Sequence, residues 1–120
     1  MISIRESLQK LTSSDGFVAA ALVDSESGMV LGTEQAGTFD LEVAGAANTE
    51  VVRAKRRAIS ALGLGDEIED ILITLSRQYH LIRPMRARPT VFFYVVLDRN
   101  RANLALARIT LADAERGLSF

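Results

Sequence analysis

Apolar positions recur along this chain with two different spacings, and each change of spacing marks the edge of an element. Near the start, Ile4, Leu8 and Leu11 fall on one helical face, and Ser3 followed by Glu6 has the spacing of a capping box. Thr12 to Gly16 then breaks the helix. Phe17 to Val23 is apolar at nearly every position, which predicts a strand covered on both sheet faces. Asp24 to Gly28 is turn chemistry, and Met29 to Leu31 resumes the extended pattern, so the pair predicts a β-hairpin.

From Asp40 to Leu62 the period becomes helical, with Asp40 placed as N-cap. At about 100° per residue, Ala44, Ala47, Val51, Ala54, Ala58 and Leu62 form one stripe, with Leu41, Val52 and Ile59 beside it. Together they span an arc of about 180°, wider than the roughly 100° that one core contact needs. Such a helix touches two things. Its small residues let another helix come close. Lys55 falls inside the arc, which calls for a snorkelling stem or a partner carboxylate.

Gly63-Leu64-Gly65 ends the helix as a left-handed cap. Three extended runs follow, at Ile68–Leu75, Tyr79–Arg83 and Thr90–Leu97, the last apolar on both sides and therefore central. A final helix is predicted from near Asn100, with Leu104, Ala107, Leu111, Ala114 and Leu118 as its core face. The order α-β-β-α-β-β-β-α predicts an α/β domain of the α+β type. It has one five-stranded antiparallel sheet with helices on both faces.

At 120 residues and 48% hydrophobic content the chain has room for one domain, spanning 1–120, and one core. Cysteine is absent, which rules out disulfides, thiolate chemistry and Cys-ligated zinc and fits a reducing compartment. The net charge of -1 removes any global argument for nucleic acid or acidic membranes. The charged N-terminus does not read as a signal peptide, and no apolar run approaches the roughly 20 residues that span a bilayer. The expectation is a soluble, cytoplasmic domain.

Chemistry is sparse. His80 is the single histidine, has no nucleophile or second histidine at motif spacing, and reads as a strand residue. No phosphate-cradling glycine motif is present. Asp66, Glu67, Glu69 and Asp70 lack the spacing of a calcium loop and read as charges guarding an edge strand. Arg53, Arg56 and Arg57 share a helical face, either as a solvated surface or as a docking surface for an acidic partner. Arg83, Arg86 and Arg88 form a second basic group. The chain therefore offers no catalytic residue, cofactor site or metal site, and reads as a binding module rather than an enzyme.

Four segments resemble the roadblock/dynein-light-chain family, whose bacterial members accompany small Ras-like GTPases. GFVAAALVDSESGMVLG is similar to its opening hairpin, and GLGDEIEDILITLSRQYHLIRP to its glycine-ended helix and two strands. TVFFYVVLDRN is similar to its last strand and ANLALARITLADAE to its final helix, although Ala105 replaces an expected glycine. The resemblance implies a dimer in which the long helices pack together and the following strand pairs with its twin. Carried onto this chain, it implies an interface of Ala47, Val51, Ala54, Lys55 and Ala58, with Ile71 and Ile73 in the pairing strand. It also implies a Ras-like GTPase as partner, regulated or scaffolded without a residue of this chain entering the GTPase site. Arg53, Arg56 and Arg57 stand as docking candidates. A structural adaptor without GTPase contact is the alternative. A small-ligand sensor would instead place a pocket at Tyr79, Phe92 and Tyr94.

Overall fold

The computed structural model describes residues 2–120. Helix α1 spans Ile4–Leu11, and the capping box forms as read: Ser3 Oγ accepts the Glu6 N–H at 3.2 Å while the Glu6 carboxylate accepts the Ser3 N–H at 3.4 Å. Strands β1 (Phe17–Asp24) and β2 (Val30–Gln35) form the hairpin. Its turn is held by Asp24, whose carboxylate accepts the Glu26 N–H and the Ser27 hydroxyl, each at 3.0 Å.

Helix α2 runs Leu41–Ala61, with the Asp40 carboxylate accepting the Val43 N–H at 3.1 Å. Its exit is a Schellman turn. Gly63 takes φ +63°, Leu64 N–H donates to the Ile59 carbonyl at 3.2 Å, and Gly63 N–H donates to the Ser60 carbonyl at 3.1 Å.

Strands β3 (Ile71–Thr74), β4 (Gln78–Pro84) and β5 (Val91–Asp98) and helix α3 (Leu104–Arg116) complete the chain. The sheet order is β2-β1-β5-β4-β3, with every neighbouring pair antiparallel. β5 is central as expected, and Val91 to Leu97 are all buried.

Several boundaries move, among them β2, which begins at Val30 and runs on to Gln35 rather than stopping at Leu31. β3 begins at Ile71 rather than Ile68, where pairing with Ile82 of β4 starts; Asp70, just before it, forms an ion pair with Arg108 on α3 at 3.1 Å. α3 begins at Leu104 rather than near Asn100. The Asp98 carboxylate first takes the Asn100 N–H at 3.0 Å, and Asn103 then caps the helix by accepting the Leu106 N–H at 3.1 Å. At its other end α3 stops at Arg116 with Gly117 as C-cap, so Leu118 lies past the helix, in an isolated parallel bridge with Ile2.

The sheet separates two apolar layers. On one face α1 and α3 bring Leu8, Leu11, Ala107, Leu111 and Ala114 onto Leu22, Leu81, Phe93 and Val95. On the other face α2 sets Leu41 and Val52 over Ala21, Val23, Ile82, Phe92, Tyr94 and Val96. Burying each phenylalanine contributes about 1.5–3 kcal/mol, so β5 anchors both layers. α2 sits tight on the hairpin because Gly45 carries no side chain there: a Cβ would stand 2.7 Å from Val30 Cγ2.

Gly45→Leu is therefore expected to lower the urea midpoint. Overpacking costs about 1–3 kcal/mol, the upper end applying to a side chain this long. That outweighs the roughly 1 kcal/mol of helix propensity regained by removing glycine. An unchanged or raised midpoint would show that the helix does not approach the hairpin this closely.

Candidate interaction surface

The two stripes of α2 part company in the fold. The inward side is Leu41, Gly45, Asn48, Thr49 and Val52, all buried. Most of the longer stripe faces away: Ala47 and Ala54 are exposed, Ala58 is half-buried and Leu62 is 68% exposed, while Ala44 and Val51 sit half-buried at the margin of the layer beneath the helix. Val43, one turn before Ala47, adds a further apolar side chain at 63% exposure. Lys55 is exposed in the same region and takes part in no ion pair among the described residues.

β3 lies on an outer edge of the sheet and pairs with β4 alone among the described strands. Ile71 and Ile73 belong to the layer beneath α2 but stay half-buried. Unpaired edge groups and apolar side chains on one side of the strand are what a further strand and helix would cover. The fold thus brings Ala47, Val51, Ala54, Lys55, Ala58, Ile71 and Ile73 to the same face of the sheet.

The arginines of α2 divide. Arg53 reaches the Glu26 carbonyl at 2.6 Å and the Glu50 carboxylate at 3.2 Å, and Arg56 reaches the Pro89 carbonyl at 2.5 Å. Both are half-buried, pinning α2 to the β1–β2 turn and to the loop before β5. Arg57 is exposed and has no ion-pair partner among the described residues.

The second basic group is mostly consumed by the C-terminal segment. Arg83 Nε donates to Glu115 at 2.6 Å, and the other oxygen of that carboxylate takes the Arg86 N–H at 2.8 Å. Arg88 donates to the Phe120 carbonyl at 2.9 Å and lays its guanidinium 4.5 Å from the centre of the Phe120 ring.

His80 belongs to a polar chain beneath α2 that the sequence did not signal. Its Nε2 lies 2.8 Å from Gln78 Oε1, and its Nδ1 lies 3.0 Å from the Tyr94 hydroxyl. Because the amide oxygen only accepts, Nε2 carries the proton, and Tyr94 donates to Nδ1. Asn48 sits close enough to Tyr94 to influence its hydroxyl and donates to the Ala44 carbonyl at 2.8 Å. Phe39 meets the imidazole edge to face at 6.1 Å. Burial pushes the Tyr94 hydroxyl up to about 12, with the Asn48 side chain pulling the other way.

The pocket expected for a ligand sensor does not form. Phe92 and Tyr94 are sealed beneath α2, whereas Tyr79 points into the opposite layer. Among the described residues no group of three or more histidines and carboxylates gathers to hold a metal. No helix among them is long and apolar enough to cross a membrane.

No family model matches the sequence, and no curated protein matches it. Solved structures do. A roadblock/LC7 domain from Streptomyces avermitilis superposes with a TM-score of 0.82 at 14% identity, covering 96% of this chain and 93% of that one. Myxococcus xanthus MglB gives 0.81 at 17% identity, over 92% and 80%. A gliding protein MglB from Thermus thermophilus gives 0.73 at 18%, over 93% and 87%. The chain has the roadblock/LC7 fold, and the resemblance seen in its sequence holds in three dimensions across nearly its whole length.

Burial holds the His80 imidazole below its ordinary value of 6.5. The unfolded chain therefore binds a proton more readily than the folded one as pH falls through 6.5. Stability is expected to be level above that pH and to decline below it, and His80→Gln is expected to flatten the decline. Thermal melts across this window check the sign; a melting temperature that rises on acidification would contradict it.

Proposed function

We propose that this protein is a non-enzymatic, cytoplasmic homodimer that regulates or scaffolds a Ras-like small GTPase. The observation that carries the reading is the outward apolar stripe of α2 together with the unpaired edge of β3 on the same face of the sheet. In the proposed dimer two α2 helices cross on small residues, Ala47, Ala54 and Ala58, with Val51 filling between them. The two β3 strands, through Ile71 and Ile73, join both sheets into one. A two-fold axis makes this patch meet itself, so one surface serves both copies. Lys55 finds a carboxylate of the other copy at the rim.

The GTPase half of the proposal rests on the fold and on the sequence resemblance together. The protein contributes a shaped, double-sized surface, with Arg53, Arg56 and Arg57 along one side of α2. Arg57 is the docking candidate whose charge no contact already uses; Arg53 and Arg56 hold the helix in place. Stimulation of hydrolysis, where it occurs, comes from ordering the GTPase's own residues.

Ala54→Glu sets two carboxylates against each other across the axis. It is expected to weaken self-association by about 3 kcal/mol, roughly a hundredfold in dissociation constant. Sedimentation equilibrium reads the change, and an unaltered association constant would place the contact elsewhere.

Titration against a Ras-like GTPase from the same source, loaded with GDP and separately with GTP, tests the partner. Binding to one nucleotide state is expected, and Arg57→Glu is expected to weaken it by about 1–2 kcal/mol. No binding in either state would leave only the adaptor reading.

A further inference from the structure

The other edge of the sheet has a groove of its own. It holds about 650 Å³ and runs between β2 and α1, lined by Ile4, Arg5, Leu8, Leu31, Gly32 and Phe120 among others. Two large apolar side chains open onto it: Leu31 is 40% and Phe120 48% exposed. Arg88, lying over the Phe120 ring, holds that residue at the groove's end.

The hydrogen-bond direction of β2 says what fits there. Ala20 lies opposite Glu34 and Leu22 opposite Gly32, and the Ala36 N–H donates to the Val18 carbonyl at 2.9 Å. In an antiparallel ladder, bonded pairs alternate with non-bonded ones. Val18–Ala36, Ala20–Glu34 and Leu22–Gly32 are therefore the bonded pairs, and Thr33 and Gln35 turn their N–H and C=O groups outward. The register shift opposite Leu22 and Val23 leaves Leu31 as the extra residue and ends the regular run on that side. The strand has no proline or lysine; its one charge is Glu34, and the bulge interrupts only its Leu31 end.

We infer that the β2 edge is a docking site for an extended segment of another protein, which adds as a sixth strand against Thr33 and Gln35. The apolar wall lies on one side only, so such a segment presents apolar side chains at alternate positions toward Ile4, Leu31 and Phe120. Arg5 and Glu34 also line the groove, and neither forms an ion pair among the described residues. The segment accordingly carries an acidic and a basic residue flanking its apolar positions. This site lies at the opposite edge from β3 and does not depend on the dimer proposed above.

The test uses the full chain and short synthetic peptides with Val or Ile at alternate positions, Thr between them, and one Glu and one Lys. Amide hydrogen exchange is read residue by residue. The Thr33 and Gln35 amides are expected to slow by at least about tenfold on peptide addition, while Gly32 and Glu34, already bonded to β1, stay unchanged. Thr33→Pro removes an outward donor without touching the β1 ladder and is expected to abolish the effect. Leu31→Lys, which charges the groove and leaves the backbone intact, is expected to weaken binding and serves if the proline variant fails to fold. No protection at millimolar peptide, or binding indifferent to a folded variant at either position, overturns the proposal. So does concentration-dependent self-association that Leu31→Lys removes, because the occupant would then be a second copy.

Discussion

A sheet face five strands wide and one helix of six turns do not match in extent, and this mismatch organises the molecule. α2 settles close over the β1–β2 hairpin, where Gly45 admits it, and uses Leu41, Asn48, Thr49 and Val52 to close that contact. The β3 end of the same face keeps Ile71 and Ile73 half-open, and the helix keeps a second row of apolar residues pointing away. Water contact along that row costs free energy that a second helix would recover. The small side chains there, three of them alanine, allow backbones to approach where leucines would hold them apart.

Most charged side chains face solvent, but several half-buried or surface arginines fasten elements together. Arg53, Arg56, Arg83, Arg88 and Arg108 each reach a carbonyl or carboxylate on a neighbouring segment. Glu115 accepts from two positions at once and ties α3 to the end of β4, through Arg83, and to the loop after it, through the Arg86 N–H. These contacts position the helices relative to the sheet, while the apolar layers supply most of the stabilisation. The chain from Gln78 through His80 to Tyr94 links β4 to β5 beneath α2. Which stripe of α2 faces out is set by the buried side of the helix, Leu41, Gly45, Asn48, Thr49 and Val52.

Much of this was legible along the chain because it is local. The Ser3–Glu6 box, the Asp40 cap, the Gly63 exit and the continuous apolar run of β5 each follow from a few neighbouring residues, and all four appear in the fold. What misled was mostly long-range. Ile68 is apolar like Ile71 to Ile73 after it, yet Glu69 and Asp70 are poor strand formers and stay outside β3, where Asp70 pairs with Arg108, thirty-eight positions away. Arg53 and Arg56 read as a free face because their carbonyl partners, in loops distant in sequence, have no signature. His80 read as an ordinary strand residue, and only the fold shows its partners on β4 and β5. The outward stripe, in contrast, was visible from periodicity before any neighbour was known.

The central claim is that this stripe meets its own copy. An equal mixture of isotope-labelled and unlabelled chains, observed through isotope-filtered proton–proton contacts, tests it without altering a residue. The account predicts contacts between copies at the methyl groups of Ala47, Val51, Ala54 and Ala58, together with cross-strand contacts between Ile71 and Ile73 of the two β3 strands. A spectrum with no contacts between copies, or with contacts confined to Leu106 and Ile109 on the far side of the sheet, would contradict it.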